Sequence, residues 1–315
     1  MRAVLLVNPH ATATTPAGRD VLTHALASEL KLDVVATRYR GHATHIAQQA
    51  REEGYELVIA HGGDGTVNEA INGLLAHGPA AAPALGVVPG GLANVFARAL
   101  GLDRDPVEAT HRLLIALEAG RSRRVGLGRI DGPALHADRA AGTWFGFNAG
   151  LGWDADVVAR VERHRARGRE ASPARYVRSA LRAHLRLMRS APRLTAALPR
   201  GRTEQGLRSA VVSNTDPWTY LGNRPVHTNP NASFDTGLGF FALRSMAPAT
   251  VLRHIGQMLR THADPAGRNL IRLDDVDSVR VHCDRPVDLQ VDGDHFGHRT
   301  AVEFTSVPDA LCVVL

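Results

Sequence analysis

Over residues 1–122 the apolar positions fall in short continuous runs separated by stretches with helical spacing. Val4 to Val7 forms one run and stops at Asn8-Pro9; Val21, Leu22, Ala25, Leu26 and Leu30 then mark a helical face. Asp33 to Thr37 reads as a second strand, and Ala43, Ile46, Ala47 and Ala50 as the face of a second helix. Leu57 to Ala60 and Leu85 to Val88 are further strands, each followed by a glycine loop and a helix; Val67, Ala70, Ile71, Leu74 and Leu75 line the first of these. Unbroken apolar strands alternating with helices predict a parallel sheet covered on both faces. Such sheets bind ligands at the carboxyl ends of their strands, where this chain places its glycine loops.

The pattern changes beyond residue 122. Val287, Leu289 and Val291 alternate with Asp288, Gln290 and Asp292, and Val302 and Phe304 alternate likewise past an Asp292-Gly293 turn. That period of two marks half-buried antiparallel strands. Val125 to Ile130, Phe145 to Phe147, Val211-Val212, Phe240 to Leu243 and Val279 to Val281 are further strand candidates. The predicted architecture is an α/β domain over 1–122 and a β-rich antiparallel domain over 123–315, with a cleft between them and the last strand free to return to the first domain. An arginine-rich helical stretch, 154–190, interrupts the second domain.

Composition narrows the chemistry. Of 315 residues 44% are apolar and 22% charged, as in ordinary globular proteins. No run approaches the ~20 consecutive apolar residues that span a bilayer, and Met1-Arg2 opens a strand rather than a secretory leader. Two cysteines, Cys283 and Cys312, make no disulfide framework, which points to a cytoplasmic setting. Lys31 is the only lysine and is followed by Leu32, so a Walker-A phosphate loop is excluded. The net charge of +6 is concentrated: between Arg160 and Arg193 eleven arginines face only Glu162 and Glu170, and the remainder of the chain is net acidic.

The strongest chemical signal is His61-Gly62-Gly63-Asp64-Gly65-Thr66-Val67-Asn68-Glu69, directly after a strand and opening a helix. Glycines let backbone approach a phosphate, and the amides of a helix start favour an anion. Thr66 is placed to cap that helix, with Glu69 completing a capping box. An acid within a phosphate cradle calls for a bridging cation, which makes Asp64 the candidate Mg²⁺ ligand. Locally the pattern also suits a plain strand-to-helix turn. Pro89-Gly90-Gly91-Leu92-Ala93-Asn94 repeats the arrangement one element later, so the two loops are expected side by side.

These residues carry a resemblance. GGDGTVNE, PGGLANVFAR, the opening Asn8-Pro9, the Thr37 to Ala43 segment, Phe147 to Asp154, Asn229 to Leu238 and the late Asp292-Gly293-Asp294 turn resemble the diacylglycerol kinase catalytic family. That family includes bacterial lipid kinases and sphingosine kinases and is distantly related to NAD kinases, so the resemblance implies an NAD kinase-like first domain. It implies an ATP- and Mg²⁺-dependent lipid kinase of phospholipid biosynthesis, phosphorylating a hydroxyl of diacylglycerol or a related membrane lipid. It places Asn8, Pro9 and the residues up to Thr12, then Thr37, Gly62, Gly63, Asp64, Gly65, Thr66, Asn68, Glu69, Gly91 and Asn94 around the nucleotide. Asp294 takes the position of the family's general base. The chain departs from the family at Leu92 and Val95, where a Thr and an Asp are usual, at Asp294, usually Glu, and at Thr236, usually Asp. An NAD kinase-like enzyme and a weakened nucleotide- or lipid-binding member are therefore the alternatives.

The arginine segment has its own reading. Val177, Leu181, Leu185 and Met188 form an apolar stripe beside Arg178, Arg182, Arg186 and Arg189. Such a helix suits an anionic lipid surface, and equally a surface helix with solvated arginines. The expected partner is lipid at the inner face of the membrane, with no nucleic acid because interleaved aromatics are nearly absent; a homodimer is left open. His42 and His45 lie one turn apart but have no third ligand at a usable spacing, so they read as solvated.

Overall fold

The structure, a computed structural model, describes residues 1–11, 15–132, 142–165 and 193–315. The chain divides into two units, Met1–Leu127 with Val307–Leu315, and Gly128–Ser306. The division falls inside a strand, β5 (Ser122–Asp131). Thr12 and residues 166–192, most of the arginine-rich stretch, lie outside the described residues.

The first unit is built on β1 (Arg2–Val7), β2 (Lys31–Ala36), β3 (Leu57–Gly62) and β4 (Ala84–Pro89), parallel in the order β2-β1-β3-β4. The C-terminal stretch returns beside β4, with Val313 paired to Leu85. Helices α1 (Pro16–Ala27), α2 (His42–Glu52), α3 (Asp64–Leu74), α4 (Val95–Ala99) and α5 (Pro106–Glu118) connect the strands. α1 and α5 start as their sequences dictate. Thr15 and Asp105 accept hydrogen bonds from first-turn amides, and Pro16 and Pro106 occupy the position that needs no amide. α2 buries Ala43, Ile46, Ala47 and Ala50 as its periodicity predicts. β1, β3 and β4 are covered on both faces, whereas the edge strand β2 exposes Lys31, Asp33, Val34 and Ala36. The expectation of full coverage fails there because β2 has a neighbour on one side only.

The second unit is antiparallel. β6 (Thr143–Phe145) pairs with the end of β5. β7 (Asn148–Leu151), α6 (Trp153–Arg165), β8 (Leu194–Ala197), β9 (Thr203–Leu207) and β10 (Ser209–Ser213) follow. β11 (Thr219–Leu221) and β12 (Arg224–Val226) make a separate hairpin. β13 (Leu238–Leu243), α7 (Pro248–Met258), β14 (Leu270–Val276), β15 (Ser278–Val291) and β16 (Asp294–Val314) complete it. The strand order is β14-β13-β10-β7-β15-β16, with β8 also on β15. Phe145 and Phe304 meet edge to face at 6.2 Å in a core with Leu151, Phe240 and Leu289. α7 is a helix in a stretch to which the apolar pattern assigned no element. Among the described residues no helix is long and apolar enough to cross a membrane.

Candidate active site

The two glycine loops join β3 to α3 and β4 to α4, and they touch through backbone. A Cβ on Gly91 would stand 2.6 Å from the Gly63 Cα, and one on Gly63 would lie 3.3 Å from the Gly91 Cα. No side chain fits at Gly91 without moving the other loop. The Gly90 amide donates to the Gly62 carbonyl at 2.7 Å, which fixes the pair in register. Asn94 adopts a left-handed conformation (φ 48°) just ahead of α4. Its side chain closes its own loop, accepting from the Gly91 amide at 2.9 Å and donating to the Gly91 carbonyl at 2.8 Å. Asparagine tolerates that backbone because its short amide can bond locally.

Asp64 stands in the first turn of α3, and its Oδ1 accepts from the Phe96 amide at 3.2 Å. One carboxylate thus belongs to the start of α3 and caps the start of α4. Thr66 is not the helix cap: α3 begins at Asp64, and Gly63 holds the cap position. The Thr66 hydroxyl lies inside the first turn and accepts from Asn8 Nδ2 at 3.1 Å, tying the end of β1 to the loop. The Asn8 amide donates to the His61 carbonyl at 3.0 Å, and Asn8 Oδ1 accepts from the His10 amide at 3.0 Å. Pro9 is exposed beside it.

The capping box is corrected at its other end as well. Glu69 reaches across to α2, where Oε1 accepts from the Gly41 amide at 2.7 Å and Oε2 from the Ala43 amide at 3.2 Å. The helix start it satisfies is that of α2, which has no side-chain cap of its own. This holds the stretch after Thr37 against α3, while the Thr37 amide donates to the Val7 carbonyl at 2.8 Å. Asn68 is buried and takes the Asn72 side chain on its own carbonyl and Oδ1. His42 accepts from the Arg38 amide and stacks on Tyr39, and His45 meets the Tyr39 hydroxyl at 3.2 Å. These are local contacts and build no metal site.

Asp294 belongs to the second unit, at the first position of β16 and opposite Val291. The turn before it is held by buried polar groups. Asp292 is buried, in a left-handed conformation, with its carboxylate accepting from the amides of Gly146 (2.6 Å), Phe147 (3.0 Å) and Asn148 (3.0 Å). Gln290 is buried too. Its Oε1 accepts from the Gly293 amide at 2.9 Å, and its Nε2 donates to Asn148 Oδ1 and Asp154 Oδ2, both at 2.7 Å. On the same hairpin Asp288 bonds His295 Nε2 at 2.7 Å and meets His298 Nε2 at 3.2 Å. Burial would raise the Asp288 carboxyl, but hydrogen bonds from His295 and Asp156 and the charges of both histidines hold it at about 2.

Asp154 carries the opposite shift. Burial pushes its carboxyl up to about 7, only partly offset by the Gln290 hydrogen bond. The folded state therefore keeps a proton that the unfolded chain releases from its ordinary value near 3.8 upward. The Asp154 contribution falls by about 1.4 kcal/mol per pH unit as pH rises from the ordinary carboxylate value to about 7, and is flat beyond. Asp154→Asn, which preserves a neutral acceptor for Gln290, is expected to remove that slope. Urea denaturation of both proteins across this range reads it directly. Asp288 acts in a separate window, since its stabilisation is complete above 3.8 and is lost as pH falls through about 2.

Chemically, the first unit offers paired backbone loops for a polyphosphate and one carboxylate at their junction. Among the described residues no trio of His, Cys, Asp and Glu side chains converges as a metal-binding group. A single carboxylate beside a phosphate cradle fits a magnesium ion that arrives on a nucleotide and keeps most of its waters, not an ion caged by protein. The resemblance's other second-unit motif is closed by its own variant residue. The Thr236 hydroxyl accepts from the Ser233 amide at 3.0 Å and donates to the Ser233 carbonyl at 3.1 Å.

Residues 2–130 match the family described as the diacylglycerol kinase catalytic domain. The chain is 35% identical over 139 residues to a diacylglycerol kinase of Bacillus subtilis (strain 168), covering 42% of each protein. It is 40% identical over 119 residues to a protein named "Probable lipid kinase YegS-like" from Chromohalobacter salexigens, covering 38% of this chain and 37% of that one. The matched stretch thus spans less than half the length of these relatives. A crystal structure of a diacylglycerol kinase from Bacillus anthracis str. Sterne superposes with a TM-score of 0.68 at 19% identity, over 99% of this chain and 96% of that one. At that identity the likeness is one of fold, and it extends through both units.

Proposed function

We propose, for a chain whose residues 2–130 carry the diacylglycerol kinase catalytic domain, that it transfers the γ-phosphate of ATP to a hydroxyl of diacylglycerol or a related membrane lipid. The observation that carries this reading is the backbone contact of Gly63 with Gly91, which sets two glycine-rich helix starts side by side with Asp64 at their junction. Amides there suit the phosphates, and Asp64 suits the magnesium ion that accompanies them. When bound, that ion supplies charge neutralisation for the phosphates. Asn8 and Thr66 brace the loop between them, Asn94 shapes the second loop, and Glu69 fixes the stretch behind Thr37. In the transfer the lipid oxygen bonds to the γ-phosphorus as the bond to the ADP oxygen breaks. The hydroxyl proton passes to the Asp294 carboxylate, through a water where the shorter side chain falls short.

Leu92 and Val95 favour a second reading, a member with weakened turnover. Leu92 is exposed on the loop, where it supplies no hydroxyl, and Val95 is buried in α4. Transfer of labelled phosphate from ATP by the pure protein, to lipid vesicles and to NAD in parallel, decides among the three. The kinase reading expects labelled lipid and unlabelled NAD. Labelled NAD alone would give the NAD kinase-like reading, and no label in either would give the weakened one. A cytoplasmic protein held at the inner membrane face, in part by the 160–193 arginine segment, completes the proposal; screening by salt should weaken that attachment.

A further inference from the structure

Three large apolar side chains remain facing water in one corner of the second unit. Leu252 is 68% exposed and Ile255 37% exposed on α7, and Leu221 is 63% exposed on the β11–β12 hairpin. Isolated apolar residues on a surface are ordinary; a group of them on adjoining elements is not. The hairpin and helix are tied together. Leu221 pairs with Arg224, whose guanidinium donates to the Leu259 carbonyl at 2.7 and 3.2 Å, and the His227 amide donates to the Met258 carbonyl at 2.9 Å.

The helix itself is turned outward. It buries His254 and Met258, while Leu252 and Ile255 stay outside. Leu252 and Ile255, three positions apart, share one stripe of the helix with Arg253 beside them, and Arg260 follows two residues past the helix end. Arg253 and Arg260 are both exposed. No acidic residue occurs from Ser245 to Ala263, and Asp264 beyond them is paired with Arg272 at 2.7 Å. An apolar stripe beside a cationic one, without acids, is the pattern of a surface that lies on anionic lipid. A two-fold contact between copies through this face would bring like arginine stripes together, which charge repulsion opposes.

We propose that α7 and the hairpin tip form a docking face for an anionic bilayer, with Leu221, Leu252 and Ile255 entering the headgroup–acyl boundary and Arg253 and Arg260 lying against lipid phosphates. Its purpose rests on the reading of a lipid acceptor, but the binding is measured independently of any transfer. Full-length protein is sedimented with vesicles of phosphatidylcholine, with and without phosphatidylglycerol. Wild type should partition to the anionic vesicles, and Leu252→Ser with Ile255→Ser should lower that partition by about tenfold or more. Arg253→Gln with Arg260→Gln should lower it by about tenfold and make what remains less sensitive to salt than wild type. All four side chains are exposed, so unchanged thermal unfolding is expected and keeps the comparison clean. Wild-type partition in both double variants, or no binding by wild type, overturns the proposal. A concentration-dependent dimer in light scattering that L252S dissolves would assign the face to self-association instead. Phosphate transfer to a dispersed short-chain diacylglycerol, followed in parallel, should be unchanged in the variants. Its absence from wild type, with vesicle binding intact, would sink the kinase reading and leave this face standing.

Discussion

Asp292→Ala should destabilise the second unit by about 3–9 kcal/mol, since each of three buried amides left without an acceptor costs about 1–3 kcal/mol. The carboxylate accepts from three successive backbone amides, those of Gly146, Phe147 and Asn148. The Asp292 amide adds a fourth bond to the same stretch, donating to the Asn148 carbonyl at 2.8 Å. Asp292→Asn should recover part of the loss, since one oxygen still accepts while the amide nitrogen faces a donor. Urea unfolding of wild type and the two variants measures the order. A loss below about 1 kcal/mol for Asp292→Ala would mean that the anion nest contributes little. The same substitution should also impair any chemistry at Asp294, two residues on, even though Asp292 is assigned no contact with substrate.

Asp64→Asn is expected to lower turnover in the proposed transfer by about 10²–10³-fold, the usual cost of removing one preorganised electrostatic group. Asparagine retains an oxygen for the Phe96 amide, so α4 keeps its cap and the fold is preserved. Asp64→Ala would confound the result, as the lost cap alone costs about 1 kcal/mol. The informative measurement is kcat at saturating nucleotide together with thermal unfolding of the same preparation. An unchanged unfolding temperature with turnover within a few-fold of wild type would strip Asp64 of its assigned role.

The parallel half was legible because its signals are local. Runs such as Leu57–Ala60 can be buried on both faces only in a covered sheet, and the glycine loops mark where helices begin. The adjacency of the loops was legible for the same reason, since β3 and β4 are neighbours. Side-chain assignments within the loops were harder. Thr66 and Glu69 have capping-box spacing, yet the box is not formed, because Glu69 finds the unsatisfied amides of α2 twenty-eight residues away. Spacing along one helix carries no information about a second helix start that lacks its own cap.

The antiparallel half hid more. Gln290 and Asp292 alternate with apolar residues just as outward-facing residues do, but both are buried. Period-two alternation shows that a strand has two unlike faces; it does not show that the polar one meets water. Here that face meets the amides of residues 146–148 and the Asp154 carboxylate, a tertiary contact about 140 residues distant in sequence. α7 was missed although Val251, Leu252, Ile255 and Met258 do fall at the spacing of one helical face.

The clamp of Glu69 on Gly41 and Ala43 bears on how quickly a ligand could be captured. A segment that must be ordered as its ligand arrives charges that entropy against affinity and slows association. In this protein the peptide between Thr37 and Ala43 is immobilised by folding itself, through two carboxylate oxygens from a neighbouring helix. A nucleotide bound as proposed would meet a finished surface, and its association rate should therefore be governed by diffusion and charge rather than by a waiting time for the loop.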